Sequence, residues 1–163
     1  MIKAAVLTVS DKGSAGLRVD QSGPAIVQAL SEMGIEVAAQ MILPDERAQI
    51  AAQLRAWAIQ EQFDLVLTTG GTGAAPRDWT PEATRDVIER EMPGLAELLR
   101  SEGARKTPLA VLSRGVAGLC GHCLIINLPG SPRAVREGMD ILAAVLPHAL
   151  QMARGENLEH GPA

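Results

Sequence analysis

Aromatic side chains are nearly absent from this chain. Trp, Phe and Tyr together make up 2% of its 163 residues, and there is no Tyr at all. Proteins that hold single-stranded nucleic acid stack its bases on exposed aromatic rings, so a site of that kind is disfavoured. Hydrophobic residues still reach 47%, and the core must therefore consist of Ala, Val, Ile and Leu side chains.

An excess of positive charge is also absent. The 15 Lys and Arg residues are outnumbered by 19 Asp and Glu, which gives a net charge of −4 without any basic run. Binding to DNA by release of its counterions is therefore disfavoured, and no nucleic-acid partner is expected. A small phosphorylated ligand is not excluded, because a few arginines, a helix N-terminus and a metal ion neutralise it locally.

Long apolar runs are missing as well. No stretch approaches the roughly 20 apolar residues that a membrane span needs, and the apolar run before Ser10 meets Asp11 and Lys12 without a cleavage-site pattern. We therefore expect a cytoplasmic protein with no membrane partner. The length favours one domain, expected over 1–155, with a polar tail over 156–163.

Short apolar runs alternate with helical spacings along the chain. Strands are predicted over 4–9, 35–43, 64–69 and 119–128. Helices are predicted over 23–33 and 94–100, and another is predicted to begin at 44–45. Two more are predicted to follow the N-caps Thr80 and Ser131. A polar loop is predicted over 11–20, and Pro147 is predicted to interrupt the C-terminal helical stretch. This alternation predicts an α/β fold with a mostly parallel sheet and helices on both faces. Ligands of such sheets bind at the carboxyl ends of the strands.

A glycine-rich loop over 70–79 is the strongest signal for a ligand. Gly70, Gly71 and Gly73 allow backbone conformations and close approaches that other residues do not, and a strand–glycine loop–helix unit presents amides to phosphate. The loop lacks the Gly-Lys-Ser/Thr of a P-loop, and Pro76 replaces the third glycine of a dinucleotide fingerprint. A flexible turn without a ligand is the alternative interpretation.

Asp45 and Asp78 are candidate metal ligands, because both lie beside a predicted helix start at the ligand edge. Mg²⁺ is usually held by one or two carboxylates together with substrate phosphates. The alternative is that Asp45 caps a helix and Asp78 forms a turn, and Arg77 is either a phosphate ligand or a solvated charge. Four further polar residues lie at the ends of predicted strands: Ser10, Asp11, Asn127 and Ser131. Each of them alone is typical of a cap or a turn, but together they surround the same edge of the sheet, which favours a ligand site.

The spacing of Cys120 and Cys123 is that of a dithiol redox motif. That motif needs its first cysteine at a helix N-terminus, where the thiol pKa falls, whereas the Leu-Ile-Ile-Asn-Leu that follows indicates a strand. Residues three apart on a strand point to opposite faces, so the two thiols are expected to point apart and to stay unbridged. Zinc is also disfavoured, because there is no second cysteine pair.

Four stretches together resemble the molybdopterin adenylyltransferase family, which includes the Mog and MoaB proteins and the G domain of gephyrin. The four stretches are LTVSD at 7–11, LPDE at 43–46, TTGGTG and RDWTPEA within 68–83, and LIINLPGS at 124–131. LSR at 112–114 and LPHA at 146–149 also fit, so the resemblance covers nearly the whole chain in the right order.

The resemblance implies a Rossmann-like, three-layer α/β domain that forms homotrimers. It implies transfer of AMP from ATP to the terminal phosphate of molybdopterin with Mg²⁺, release of pyrophosphate, and hand-over to a molybdate-insertion protein. Asp45 and Asp78 match the family's catalytic pair and would hold the metal. The other implied substrate and nucleotide ligands are Ser10, Asp11, Gly70, Gly71, Thr72, Gly73, Arg77, Thr80, Ser113, Asn127, Pro129, Gly130 and Ser131.

Two other function classes are open. A non-catalytic molybdopterin-binding or carrier protein would share the fold, but binding alone would not require both Asp45 and Asp78 beside an anionic ligand. A thiol–disulfide protein is the third class, and the strand context of Cys120 argues against it. The stretch 120–123 also departs from the family, whose members are more often basic and polar there.

Overall fold

The computed structural model describes residues 1–156 of the chain. Its strands are β1 Lys3–Val9, β2 Glu36–Leu43, β3 Leu65–Thr69, β4 Arg90–Glu91, β5 Ala117–Cys120 and β6 Cys123–Leu128. Its helices are α1 Asp11–Ser14, α2 Ser22–Glu32, α3 Arg47–Arg55, α4 Thr80–Arg85, α5 Pro93–Lys106, α6 Pro132–Ala143 and α7 Leu146–Ala153. A π-helical turn, Ala56–Gln60, continues α3, and a 3-10 turn, Pro108–Leu112, follows α5. The tail predicted over 156–163 lies, beyond Glu156, outside the described residues.

The strands form one sheet in the order β2-β1-β3-β6-β5-β4. Neighbours among β2, β1, β3 and β6 pair in parallel, whereas the β5–β6 and β4–β5 pairs are antiparallel. The predicted α/β fold with a mostly parallel sheet is confirmed. No helix within residues 1–156 is long and apolar enough to cross a membrane.

Two apolar cores lie on opposite faces of the sheet. Successive side chains of a strand point to opposite faces, so Val6 packs with α2, α5, α6 and α7, whereas Leu7 packs with α3 and α4. Both side chains are essentially inaccessible to solvent. The sheet therefore forms the middle of three layers.

The order in which strands are added to the sheet reverses at β1, and this reversal positions the ligand edge. The chain forms β2 on one side of β1 and then β3 on the other, and such a switch opens a crevice at the carboxyl ends of the strands. Thr8 pairs with Thr69, and Thr69 pairs with Leu128, so three central strands end at the same level. The loops that begin at Ser10, Gly70 and Pro129 therefore meet.

The start of α3 differs from the prediction. The helix begins at Arg47 rather than at 44–45, because the amide of Asp45 donates to Asp11 Oδ1 at 3.0 Å. A backbone amide held by a distant carboxylate lies in the loop and not in the first helical turn. Asp45 is therefore a loop residue, and the alternative interpretation of it as a helix cap is wrong, since Glu46 is the N-cap of α3.

Two neighbouring predictions also need correction. Thr80 is the first residue of α4 rather than its N-cap, because its hydroxyl donates to the carbonyl of Gly70 at 2.9 Å. The segment predicted as a loop over 11–20 begins with the short helix α1. Ser10 caps this helix, since its Oγ accepts from the amide of Gly13 at 2.9 Å.

The helices after the glycine loop agree better with the prediction. Ser131 is the N-cap of α6 as predicted, and Pro147 lies at the start of α7 after the break. The helix predicted over 94–100 is too short, because α5 continues to Lys106. A Cβ at Gly103 would lie 3.0 Å from Ala110 Cβ, so packing against the 3-10 turn keeps this weak helix former in place.

The strand predicted over 119–128 is a hairpin of β5 and β6. Gly121 has a φ of +59°, and glycine at the first position of a two-residue turn favours this connection. Cys120 pairs with Cys123 across the turn, and residues opposite one another in an antiparallel pair point to the same face. The prediction that the thiols point apart is wrong, although both are free and buried.

Candidate active site

The glycine loop over 70–79 is built by close backbone contacts that require glycine. Gly70 and Gly71 have φ angles of +93° and +66°, a region that side chains rarely adopt. A Cβ at Gly70 would also lie 2.2 Å from the carbonyl oxygen of Val9. The loop therefore packs directly against the end of β1.

Thr80 ties the end of the loop back to its beginning. The side chain is fully buried, its hydroxyl donates to the carbonyl of Gly70 at 2.9 Å, and its amide donates to the carbonyl of Gly71 at 3.1 Å. These two bonds close the loop over the N-terminus of α4. Thr80 therefore shapes the loop, and both its hydroxyl and its amide are already used as hydrogen-bond donors within the protein.

Asp45 presents a buried carboxylate oxygen to this loop. Its Oδ1 has no hydrogen-bond partner among residues 1–156, and a Cβ at Gly71 would lie 2.5 Å from it. Burial is the main cause that raises the pKa of Asp45 to about 6. A hydrogen bond from the backbone amide of Trp79 lowers this pKa, whereas the charges of Asp11 and Asp78 raise it further. An unpartnered buried oxygen beside a residue without a side chain is suited to a cation.

Asp78 faces the same loop from its other end. Its Oδ2 accepts from the amide of Ala75 at 2.9 Å, and a Cβ at Gly73 would lie 2.7 Å from this oxygen. The turn over 75–78 is also closed by the bond from Asp78 N to Ala75 O at 3.0 Å. Asp78 thus forms a turn, as its alternative interpretation held, and its carboxylate lies beside a loop glycine.

Asp11 is engaged with protein groups. Its Oδ1 accepts from the amide of Asp45, and Arg77 Nε donates to its Oδ2 at 2.7 Å. Arg77 first, and then the amide of Asp45, hold the pKa of Asp11 at about 2. Arg77 also pairs with Glu46 at 3.1 Å, so this cluster orients the backbone of Asp45.

Arg114 is a residue of this site that our sequence-based prediction missed. Its Nε donates to the carbonyl of Gly73 and its Nη2 to the carbonyl of Asp78, both at 2.7 Å. Its Nη1 pairs with the carboxylate of Glu82. The LSR stretch at 112–114 was the only available signal, because Arg114 lies 41 residues from Gly73 along the chain.

Asn127 has a structural contact for each end of its side-chain amide. Its Nδ2 donates to the hydroxyls of Thr68 and Thr84, both at 2.9 Å, and its Oδ1 accepts from the amide of Val116 at 3.1 Å. The residue is only 3% exposed. Its side chain therefore joins β6 to β3 and α4 beneath the glycine loop.

Two cavities meet where Gly130 approaches the glycine loop. The first, of about 530 Å³, lies among the loop, the 3-10 turn, α5 and α6, and its wall includes Gly71, Thr72, Gly73, Asp78, Ser113 and Pro129. The second, of about 640 Å³, lies on the other side, and its wall includes Thr8, Ser10, Asp20, Thr69, Gly70 and Ser131. Gly130 lines both, so ligands in the two cavities would meet at this point.

Fold and site together define a class of protein. It is an α/β domain in which two ligand cavities adjoin a glycine loop at the sheet's carboxyl edge, with two carboxylates facing that loop. Residues 5–148 match the family model described as a probable molybdopterin binding domain. This chain belongs to that family, as its motifs indicated.

Individual relatives agree with this assignment. The molybdopterin adenylyltransferase of Helicobacter pylori strain J99 is 40% identical over 160 residues, which are 97% of this chain and 91% of that protein. The molybdenum cofactor synthesis protein cinnamon of Drosophila melanogaster is 44% identical over 149 residues. The match covers 90% of this chain but only 25% of the fly protein.

A solved structure shows the same fold over almost the whole chain. The molybdopterin biosynthesis enzyme MoaB of Thermus thermophilus superposes with a TM-score of 0.91 at 55% sequence identity. The match covers 95% of this chain and 98% of that one.

Proposed function

We propose that this protein transfers AMP from ATP to the terminal phosphate of molybdopterin. A phosphate oxygen of molybdopterin attacks the α-phosphorus of ATP, a new phosphorus–oxygen bond forms, and the bond to pyrophosphate breaks. The observation that carries the proposal is the pair Asp45 and Asp78, which face one glycine loop. This loop borders both cavities, and Asp78 lines the first of them. The names of the relatives that span the whole chain support the same reaction.

The two cavities suit two substrates that must react with each other. Holding both phosphate groups at one junction converts an encounter in solution into a reaction between neighbours. Backbone amides of a glycine loop and of the helix that follows it donate to phosphate oxygens. A Cβ added at Gly130 would lie 3.3 Å from Gly70 Cα, so a side chain at position 130 would narrow the junction of the two cavities.

The carboxylates fit a magnesium ion. Asp45 contributes a buried oxygen that no group within residues 1–156 contacts by a hydrogen bond. No three His, Cys, Asp or Glu residues converge on a metal position within that range, and Mg²⁺ takes its remaining ligands from water and substrate phosphates. When bound, Mg²⁺ offsets the negative charge that two phosphorylated substrates bring together. Asp45 and Asp78 would hold it, and Asp11 would keep the backbone of Asp45 in place.

The other predicted ligands, the glycines apart, take three roles. Thr72, Ser113 and Pro129 line the first cavity and Ser10 and Ser131 the second, and we propose that these residues contact substrates. Asp11, Thr80 and Asn127 shape the site through the bonds described above. Arg77, whose side chain is 57% exposed, is proposed to reach a phosphate after release from its carboxylate partners.

We further propose the domain extent, the cellular compartment and the downstream partner of the protein from three other observations. Both cores share one sheet, which supports a single domain over 1–155. Free thiols at Cys120 and Cys123 suit the reducing cytoplasm. The fly relative carries the matched segment within a much longer chain, which supports hand-over of the product to a molybdate-insertion protein.

The decisive experiment is a product assay. The purified protein is incubated with ATP, Mg²⁺ and molybdopterin, and an AMP-linked pterin and pyrophosphate should form in equal amounts. Omission of Mg²⁺ is the control for the metal. If molybdopterin binds but no AMP-linked product forms, the protein is a carrier of the same fold and the proposed activity is wrong.

A further inference from the structure

Arg114 contacts the glycine loop on both sides of its exposed tip. Its amide donates to the carbonyl of Thr72 at 2.8 Å and its Nε to the carbonyl of Gly73 at 2.7 Å. Across the tip, its Nη2 donates to the carbonyl of Asp78 at 2.7 Å. Residues 74–77 between these points are all exposed. One side chain thus spans the two ends of the segment that carries Asp78.

The guanidinium suits this task better than other cations. Its donors stand in a fixed planar fork, whereas a lysine ammonium is a point charge on a flexible stem. Two carbonyls at 2.7 Å on different nitrogens use this geometry. A lysine at the same position would reach one carbonyl, but it would not fix the distance between the carbonyls of Gly73 and Asp78.

Glu82 holds the guanidinium in its orientation. Its carboxylate pairs with Nη1 of Arg114 from the first turn of α4. Burial has the largest single effect and would raise the pKa of Glu82. The bond and the charge of Arg114, together with the backbone amide of Glu82 and the charge of Arg85, outweigh burial, so the pKa lies below its ordinary value. Each guanidinium nitrogen thus donates to a protein oxygen, which ties Arg114 to both ends of the loop tip and to α4.

We propose that Arg114 is a positioning residue that fixes the carboxylate of Asp78 relative to the glycine loop, with Glu82 orienting its guanidinium. The inference rests on the proposed function, because it concerns a carboxylate assigned to the AMP-transfer site. A displacement of about 1 Å at such a site costs about 100-fold in rate. The effect should therefore fall on kcat and on the Mg²⁺ requirement, with little change in KM for ATP.

The test compares R114K, R114A and E82Q with the matched control R85K. Arg85 is a half-exposed arginine of α4 that pairs with Glu91 at 3.5 Å, and lysine keeps the positive charge that it presents to Glu82. We expect kcat to fall about 100-fold in R114K and R114A, less in E82Q, and not in R85K. Guanidinium ion added to R114A should restore part of kcat, whereas an equal concentration of ammonium should not.

Hydrogen exchange of the loop amides supplies a readout that does not depend on activity. The amides of Ala75 and Asp78 are bonded within the turn, and they should exchange faster in R114K and R114A than in the wild type and in R85K. If R114A does not fold, R114K and E82Q still decide, since both keep a polar side chain of similar size. Wild-type kcat and wild-type exchange in R114K would overturn the proposal, as would a change in KM alone.

The two proposals fail in different ways. If the wild type forms no AMP-linked pterin, the proposed function is wrong. Faster exchange in R114K would still show that Arg114 fixes the conformation of the loop. If the wild type is active and R114K matches it in kcat, Mg²⁺ dependence and exchange, the function stands and the positioning role is overturned.

Discussion

Asp45 is the residue at which function and stability oppose each other most clearly. Its pKa of about 6 lies above the ordinary 3.8, so between these pH values the folded protein holds a proton that the unfolded chain has released. Stability therefore falls as the pH rises through this range, and the cost is fully present above about pH 6. A bound cation would remove that cost.

Asp45→Asn should therefore stabilise the protein while abolishing AMP transfer. At about pH 8 we expect a gain on the order of 2 kcal/mol in the free energy of unfolding, which shrinks towards zero near pH 4. Urea unfolding at both pH values measures it. A variant less stable than the wild type at pH 8 would contradict this account of the buried carboxylate.

Asp11→Asn is the control of opposite sign. The pKa of Asp11 is lowered to about 2, chiefly by Arg77. Its stabilising effect is therefore present above its ordinary pKa and is lost as the pH falls towards 2. The variant should be less stable than the wild type at neutral pH, and the difference should disappear in acid.

Asp78→Asn should lose activity and keep its fold. Asparagine retains an oxygen for the amide of Ala75, so the change in stability should stay under about 1 kcal/mol. Loss of the charge should reduce the rate by at least about 100-fold. Steady-state kinetics and thermal unfolding measure the two effects, with Glu97→Gln as the control for loss of an exposed charge outside the site. Near wild-type turnover in folded Asp78→Asn would leave the residue as a turn former only.

The glycine loop raises a question at the scale of the element, namely whether its glycines serve conformation or space. Gly71 and Gly16 have similar φ angles of +66° and +72°. A Cβ at Gly71 would meet Thr80 Oγ1 at 2.2 Å, whereas a Cβ at Gly16 would meet no atom of the described residues within 4 Å. The pair therefore separates backbone strain from steric exclusion.

Gly71→Ala should cost more stability than Gly16→Ala and should also abolish activity. We expect a loss of about 1 kcal/mol for Gly16→Ala from the left-handed conformation alone, and about 3 kcal/mol for Gly71→Ala once the displaced Thr80 and Asp45 are included. Unfolding curves and the AMP-transfer assay measure both. Equal losses with retained activity would show that Gly71 serves only the turn.

The β5–β6 hairpin decides the chemistry of the two cysteines. Burial raises the pKa of both thiols, that of Cys123 to about 12, so little reactive thiolate exists at neutral pH. Thiol titration of the unfolded, non-reduced protein should therefore find two thiols, while the folded protein reacts slowly. Cys120→Ser should leave one. A bridged species identified by mass would revive the thiol–disulfide class, because the pairing of Cys120 with Cys123 places both side chains on one face.

At the scale of the molecule, the surface retains apolar side chains that one copy does not cover. Leu109, Val111 and Leu112 of the 3-10 turn are 71%, 60% and 63% exposed. Exposed apolar groups that cluster are typical of an interface. We therefore expect the homotrimer that the family resemblance implies to bury part of this surface, and sedimentation should give three times the chain mass of 17.2 kDa. A monomer at micromolar concentration would contradict it.

Much of this protein was determined by sequence alone, because the decisive signals are local. Buried strands such as 64–69, the cap at Ser131 and the glycine loop each depend on a few neighbouring residues, whose turn chemistry and periodicity act over one element. The motifs spread over the chain were enough to indicate the family. The carboxylate pair could also be selected, since both members follow strands at the predicted ligand edge.

Tertiary structure alone decided how those groups are used. The bonds from Arg114 to the glycine loop and the internal bonds of Asn127 join segments that lie far apart in the chain. The Oδ1 of Asp45 is buried by the fold without a hydrogen-bond partner among residues 1–156. The hairpin at Cys120 was hidden because a continuous apolar run can be one strand or two. Burial, charge pairing and the space beside a glycine are properties of atoms brought together by the whole fold. A linear pattern therefore offers candidates for this site but does not say which of them are already bonded to protein.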